Sequence, residues 1–152
     1  MKTFLTIVCV LGIGACSSNQ GLVEYKKFDR ETKAILILKD EATREGVLPI
    51  IVAWFKENNF NATVINALNE INPDDYIFTY RAWWGWDLKT YMRKVEMAVK
   101  SKGETLGRLQ FDALQYGGFG KFGDTEKRLR ILLDVLFGKI TVEEANKLLG
   151  DA

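Results

Sequence analysis

From Tyr76 to Leu114 the chain alternates apolar and polar residues with a period of two, and this segment sets the fold class. Tyr76, Phe78, Tyr80, Ala82, Trp84 and Trp86 share one face of the first stretch. Val95, Met97 and Val99 share one face of the second, with Lys94, Glu96 and Lys100 opposite. Leu109, Phe111 and Ala113 repeat the pattern against Arg108, Gln110 and Asp112. Successive side chains on a strand point to opposite faces, so this pattern predicts three strands that are each covered on one side. Ser101-Lys102-Gly103-Glu104 is a tight hairpin turn between the second and third. An antiparallel meander follows, with one apolar and one polar face.

The residues before it read differently. Ala34–Leu38 is a continuous apolar run, the pattern of a strand buried on both faces. Val47, Leu48, Ile51, Val52 and Phe55 recur at helical spacing up to about Asn58. Pro49 lacks the amide of an interior helical residue. It lies either in the first turn, with Thr43–Gly46 irregular, or at a kink. Ala62–Ile65 is a further strand, and strand, helix and strand in this order suggest one parallel crossover. Pro73-Asp74-Asp75 is a turn. After the meander, Asp124 is a good N-cap for a helix over Thr125–Phe137, with Leu129, Leu132, Leu133 and Leu136 on one stripe. Gly138 ends it. Thr141-Val142-Glu143-Glu144 is a capping box for a last short helix that stops at Gly150. The sum is an α+β fold: one βαβ crossover, a three-stranded antiparallel meander, and one or two C-terminal helices packed on one face of the sheet as a two-layer sandwich.

The first residues carry an address. A basic start at Lys2 precedes a twelve-residue apolar run, Phe4–Ala15. A bilayer-spanning helix needs about 20 such residues, so this run has the length of a signal-peptide core instead. It ends Ile13-Gly14-Ala15-Cys16, which resembles the lipobox of bacterial lipoproteins: an aliphatic residue and two small residues before an invariant cysteine. The resemblance implies cleavage before Cys16 and lipid on its sulfur and amine. Each buried acyl CH₂ adds about 0.8 kcal/mol, so several chains on one residue hold a soluble domain at a membrane. Ser17 in place of Asp after the cysteine implies the outer membrane, on the periplasmic face. The expected organisation is a cleaved leader over 1–15, lipidated Cys16 and a tether over 16–32, and a single α+β domain over 33–150. The stretch from Leu22 to Lys33, charged with scattered apolar residues, has no assignable structure.

Composition narrows the chemistry. The chain has 152 residues, no histidine and two cysteines, Cys9 and Cys16. One cysteine leaves with the leader and the other takes lipid, so no disulfide is expected. Loss of Lys2 leaves Lys+Arg and Asp+Glu at 20 each. A balanced chain has no long-range pull toward nucleic acid. Without imidazole, the usual general base and zinc ligand are missing. Asp74, Asp75 and Asp87 are the acidic candidates, but adjacent carboxylates in a Pro turn diverge and suit acid–base work poorly. No catalytic residue, cofactor or metal site is expected.

Two local features remain as candidate binding sites. In Trp83-Trp84-Gly85-Trp86, alternation sends Trp84 and Trp86 to the core and leaves Trp83 outside with Arg81. Gly117-Gly118-Phe119-Gly120-Lys121-Phe122-Gly123 leads into a helix N-terminus, where anions are favoured. It lacks the Gly-Lys-Ser/Thr of a P-loop, and the plain expectation is a Gly-rich connection pinned by Phe119 and Phe122. Arg81, Trp83 and Lys121 are the candidate binding residues.

Tyr80–Phe137 also resembles a group of small proteobacterial outer-membrane lipoproteins. The shared features are a Trp-rich strand ending in Trp86-Asp87, the Gly117-Gly118 pair, and Lys121-Phe122-Gly123-Asp124-Thr125-Glu126 ahead of the long helix. The strand order is similar to that of α/β domains in periplasmic accessory lipoproteins such as penicillin-binding-protein activators. These likenesses carry no activity with them; the lipobox, the missing catalytic residues and the single compact domain suggest an envelope lipoprotein that acts by binding an envelope protein, without catalysis. The alternatives are an immunity-type lipoprotein against a periplasmic effector, and an enzyme acting on envelope glycan. Replacing Cys16 by Ser should abolish incorporation of labelled fatty acid and release the protein from the membrane fraction. Retention of both would remove the lipoprotein reading.

Overall fold

The computed structural model describes residues 21–152 apart from Lys33. The leader, the lipobox, Cys9 and Cys16 lie outside the described residues. Six strands form one sheet: β1 Leu22–Lys26, β2 Ala34–Leu38, β3 Asn61–Ile65, β4 Ile77–Asp87, β5 Lys89–Ser101 and β6 Glu104–Asp112. Their order is β1-β6-β5-β4-β2-β3. β2 runs parallel to both β3 and β4, while β4, β5, β6 and β1 are antiparallel in turn. Three helices, α1 Val47–Glu57, α2 Thr125–Leu136 and α3 Val142–Gly150, form the second layer. This is the α+β two-layer sandwich that the sequence pattern predicts.

The local rules behave as expected. Pro49 is the third residue of α1, so its missing amide costs no intrahelical bond. Lys102 and Gly103 both have positive φ, 51° and 77°, the signature of a type I′ hairpin turn between β5 and β6. The Asp124 carboxylate accepts from the Lys127 amide at 2.6 Å at the start of α2. Thr141 and Glu144 complete the capping box of α3.

Two expectations change. The segment assigned to a tether contains β1, which closes the edge of the sheet against β6. Its period is broken by a bulge between Leu22 and Glu24, so the apolar residues do not alternate along the strand. Leu22 is buried, Val23 at the bulge is exposed, and Tyr25 turns inward to donate to the Val135 carbonyl at 3.1 Å. The chain then crosses the end of β6. Phe28 is buried there and its amide donates to the Leu136 carbonyl at 2.9 Å. Gly107 makes the crossing possible, because a Cβ at that position would stand 2.6 Å from the Phe28 Cβ. β2 is also less enclosed than a doubly buried strand. Ile35 and Ile37 are buried under the helices, but Leu36 and Leu38 are only half-buried on the other face.

The core lies between the sheet and the helices. An aromatic cluster occupies its centre: the Phe55 ring meets Trp54, Phe60, Phe78 and Phe137 at centroid distances of 5.2, 5.3, 5.2 and 5.3 Å, all edge-to-face. That geometry sets positive ring edges against negative faces and adds to the gain from burial. The Trp54 indole N–H donates to Asp134 on α2 at 2.9 Å, which ties α1 to α2 beside the cluster. Arg130 adds a surface tie, donating to Glu57 on α1 and Glu126 on its own helix. Phe55→Ala would empty the middle of the cluster. The variant should lose about 3–5 kcal/mol in denaturant unfolding, with the two-state transition shifted to lower denaturant.

Candidate binding surface

The helices leave one sheet face bare. Arg81 and Trp83 on β4, Glu96 on β5, Arg108 on β6, Glu24 on β1 and Asp40 after β2 line a broad, open concavity of about 580 Å³ on this face. The alternation that buries Phe78, Tyr80 and Ala82 puts Thr79, Arg81 and Trp83 here.

Asp40 organises one end. Its carboxylate accepts from Arg81 Nη2 at 2.7 Å and from Arg81 Nε at 3.2 and 3.3 Å. The Thr43 hydroxyl donates to it at 2.6 Å and in turn accepts the Ala82 amide at 2.9 Å. The turn after β2 is thereby pinned to β4. The Asp40 side chain is only 12% exposed. The Arg81 guanidinium first, aided by the Thr43 hydroxyl and opposed by burial, holds its carboxyl below the usual carboxylate range.

Most other charges of the face are also paired. Arg108 contacts Glu24 across the β1–β6 ladder. Lys94 reaches Glu96 at 2.6 Å and lies 4.8 Å from the centre of the Trp83 ring. Trp83 is 37% exposed, so an apolar indole stands among mutually neutralised charges. This surface is shallow and polar, unlike the apolar clefts that enclose small molecules. It matches the mixed polar and aromatic character of protein–protein interfaces.

Lys121 is elsewhere. It contacts Asp87 at the β4–β5 hairpin and lies 5.2 and 5.7 Å from the Phe122 and Tyr91 ring centres. The structure therefore brings Arg81 and Trp83 together and separates Lys121 from them. The acidic residues Asp74 and Asp87 each face a lysine, Lys102 and Lys121, and Asp75 accepts from the Asn72 amide. Among the described residues, no three Asp, Glu, Cys or His side chains come together as a metal site.

The Gly-rich loop has a different pin from the one expected. Arg128 on α2 is 1% exposed. Its guanidinium donates to the Gly120, Lys121 and Ala152 carbonyls. The Phe111 and Tyr116 ring centres lie 5.6 and 5.4 Å from its Cζ. Burial lowers its pKa, but a guanidinium starts so high that it stays charged. Gly123 is required because a Cβ there would stand 2.2 Å from Arg128 Cζ. Phe122 packs on Tyr91, as a pin should, but Phe119 is 81% exposed.

The Trp cluster also departs from its pattern. Trp84 is half-buried against the core with Arg44 4.4 Å above its ring. Trp86 does not reach the core and is 78% exposed. Its position on β4 is beyond the helical layer, so inward alternation has nothing to bury it against. The hairpin apex is unusual as well. Leu88 is 77% exposed and has φ of +62°. A left-handed conformation costs a non-glycine residue roughly 1–2 kcal/mol, so glycine would be cheaper here in both strain and exposure. Neither Phe119 nor Leu88 stands out in sequence, because exposure at a loop apex leaves no periodic signal.

Comparison with protein-family models, with curated proteins and with solved structures found no match to this chain. No helix among the described residues is long and apolar enough to cross a membrane.

The Asp40 cluster has a pH signature. A carboxyl with a folded pKa below its unfolded value of about 3.9 binds fewer protons when folded. Its contribution is complete above about pH 5 and fades as the pH falls through the folded value. Asp40→Asn should therefore cost on the order of 1 kcal/mol at neutral pH, after screening by solvent. Urea unfolding across pH should show the difference from the parent protein shrinking below about pH 4.

Proposed function

We propose that this chain is a lipid-anchored lipoprotein of the cell envelope, attached through Cys16 at the periplasmic face of the outer membrane. It binds an envelope protein through the helix-free face of its sheet and does so without catalysis. The observation that carries the binding role is the bare concave face with Trp83 at its rim and most of its charges already paired. Three ion pairs, Arg81–Asp40, Arg108–Glu24 and Lys94–Glu96, hold the polar groups of that face in fixed positions. Side chains ordered in advance lose less entropy on association. A half-exposed tryptophan among them is the residue type that most often anchors a protein interface. The lipobox Ile13-Gly14-Ala15-Cys16 supports the anchor.

A photo-crosslinking residue at Gln110, on the same face, should capture a specific envelope protein in growing cells. Trp83→Ala should reduce capture at least about tenfold, the cost of losing an aromatic anchor, while the melting temperature changes little. Unchanged capture in Trp83→Ala would remove this face as the binding surface. Mass spectrometry of the attached protein separates a resident envelope protein from a delivered toxin, the mark of an immunity-type role.

A further inference from the structure

Three large exposed apolar side chains lie at the far end of the β4–β5 hairpin. Trp86 and Leu88 belong to the hairpin, and Phe119 lies beside it, sharing a small apolar depression with Leu88, Lys89 and Phe122. Trp86, Leu88 and Phe119 are 78%, 77% and 81% exposed. Lys89 lies 5.2 Å from the Phe122 ring centre and forms no ion pair among the described residues.

The direction of this end is set by the sheet. Leu22 pairs with Phe111, Phe111 with Val95, and Val95 with Ala82, so the four residues form one row across four strands. Toward lower numbers on β1, the chain leaves this row at Gly21, whose carbonyl accepts the Asp112 amide at 2.9 Å. Toward higher numbers on β4, the hairpin leaves the same row in the same direction and turns at Leu88. Cys16 precedes Leu22 by six residues, and Leu88 follows Ala82 by six. At about 3.3 Å per residue, both spans reach roughly 20 Å. A lipid on Cys16 therefore cannot enter a bilayer that lies much farther from the Leu22 row than the hairpin apex does.

We infer that Trp86, Leu88 and Phe119 insert into the lipid interface of the membrane to which Cys16 is anchored. The inference rests on the anchored reading given above. Tryptophan is suited to the headgroup level, where its ring is apolar and its N–H meets water. Leu88 and Phe119 supply apolar area beside it, and Lys89 at the apex faces anionic headgroups. The strained backbone at Leu88 fits the same purpose, since it holds a large apolar side chain at an apex where glycine would fold more easily. Insertion gives the domain a second contact with the bilayer and fixes its tilt. The sheet then stands on the membrane with its bare face turned sideways, toward a protein partner.

The test uses the mature lipidated protein in vesicles of phosphatidylethanolamine and phosphatidylglycerol with brominated acyl chains. Bromine quenches tryptophan emission by contact. Trp86 emission should be quenched, and Trp86→Phe should remove the quenched component while the emission of Trp54, Trp83 and Trp84 remains. Leu88→Gly should lower the quenching at least about threefold, with a melting temperature that holds or rises. Equal quenched fractions in the parent protein and Trp86→Phe overturn the inference. So does Leu88→Gly that melts earlier with quenching unchanged, or a photo-crosslinker at position 86 that captures protein instead of lipid. Fatty-acid labelling of Cys16 reports the anchor separately. With labelling and no quenching, the anchor stands and the insertion fails. Without labelling, the anchor fails, and quenching by the same vesicles added to the free chain decides insertion alone: its presence supports the apex as a lipid contact and its absence overturns it.

Discussion

Three helices cover one face of a six-stranded sheet, and no helix among the described residues lies across the middle of the other, where only the 68–73 segment packs at one side against Leu38, Thr79 and Lys100. The inward residues of the meander are then mostly apolar, and outward polar groups are satisfied by their neighbours or by water. Phe78, Val99 and Phe111 are fully buried beneath the helices. Their sequence neighbours Thr79, Lys100 and Gln110 look out on the opposite side. The aromatic cluster around Phe55 locks the two layers together. The cross-strand ion pairs on the bare face are the other half of the same constraint, because long charged side chains on adjacent strands either pair or repel.

The helical layer is shorter than the sheet it covers. β4 and β5 are the longest strands, with 11 and 13 residues, and their hairpin outgrows the core. Where cover ends, the side-chain rule ends with it. Trp84 still touches the core and Trp86 does not, although both lie on one face of one strand. The loop beside the hairpin is held by a buried cation. Arg128 would be costly in that position without partners, and backbone carbonyls provide them without a carboxylate. The Gly123 backbone passes directly over the guanidinium, which ties the glycine in the loop to the arginine on the helix.

Much of this was legible in the residues. Period two over the meander, period 3.6 over α1 and α2, the Asp124 cap, the Thr141 capping box and the Lys102-Gly103 turn each report a local preference that the tertiary fold respects. β1 was hidden because its bulge spoils the alternation and leaves only Leu22 and Tyr25 facing inward. The Asp40–Arg81–Thr43 cluster was hidden for another reason: Asp40 and Arg81 are 41 positions apart, and each alone looks like an ordinary surface charge. Arg128 sits in an apolar stripe of α2 and gives no sign that its charge is consumed by a loop. Of the candidate residues, Arg81 and Trp83 were placed on the outer face by alternation alone, while the partner of Lys121 depended on the hairpin.

The amino-acid sequence by itself determined the α+β class, the order of strand and helix from β2 onward, the helix caps and the face of the meander on which each side chain falls. These follow from steric and solvation preferences that act within a few residues. Only the tertiary structure decided how far the core extends. That limit left Trp86 and Leu88 in the open, and the path of the chain at Gly107 and Gly123 was set by close contacts with Phe28 and Arg128. It also decided that the chain leaves the sheet at Gly21 on the same end as the hairpin apex. Such outcomes depend on pairings between residues far apart in the chain, and no local preference encodes them.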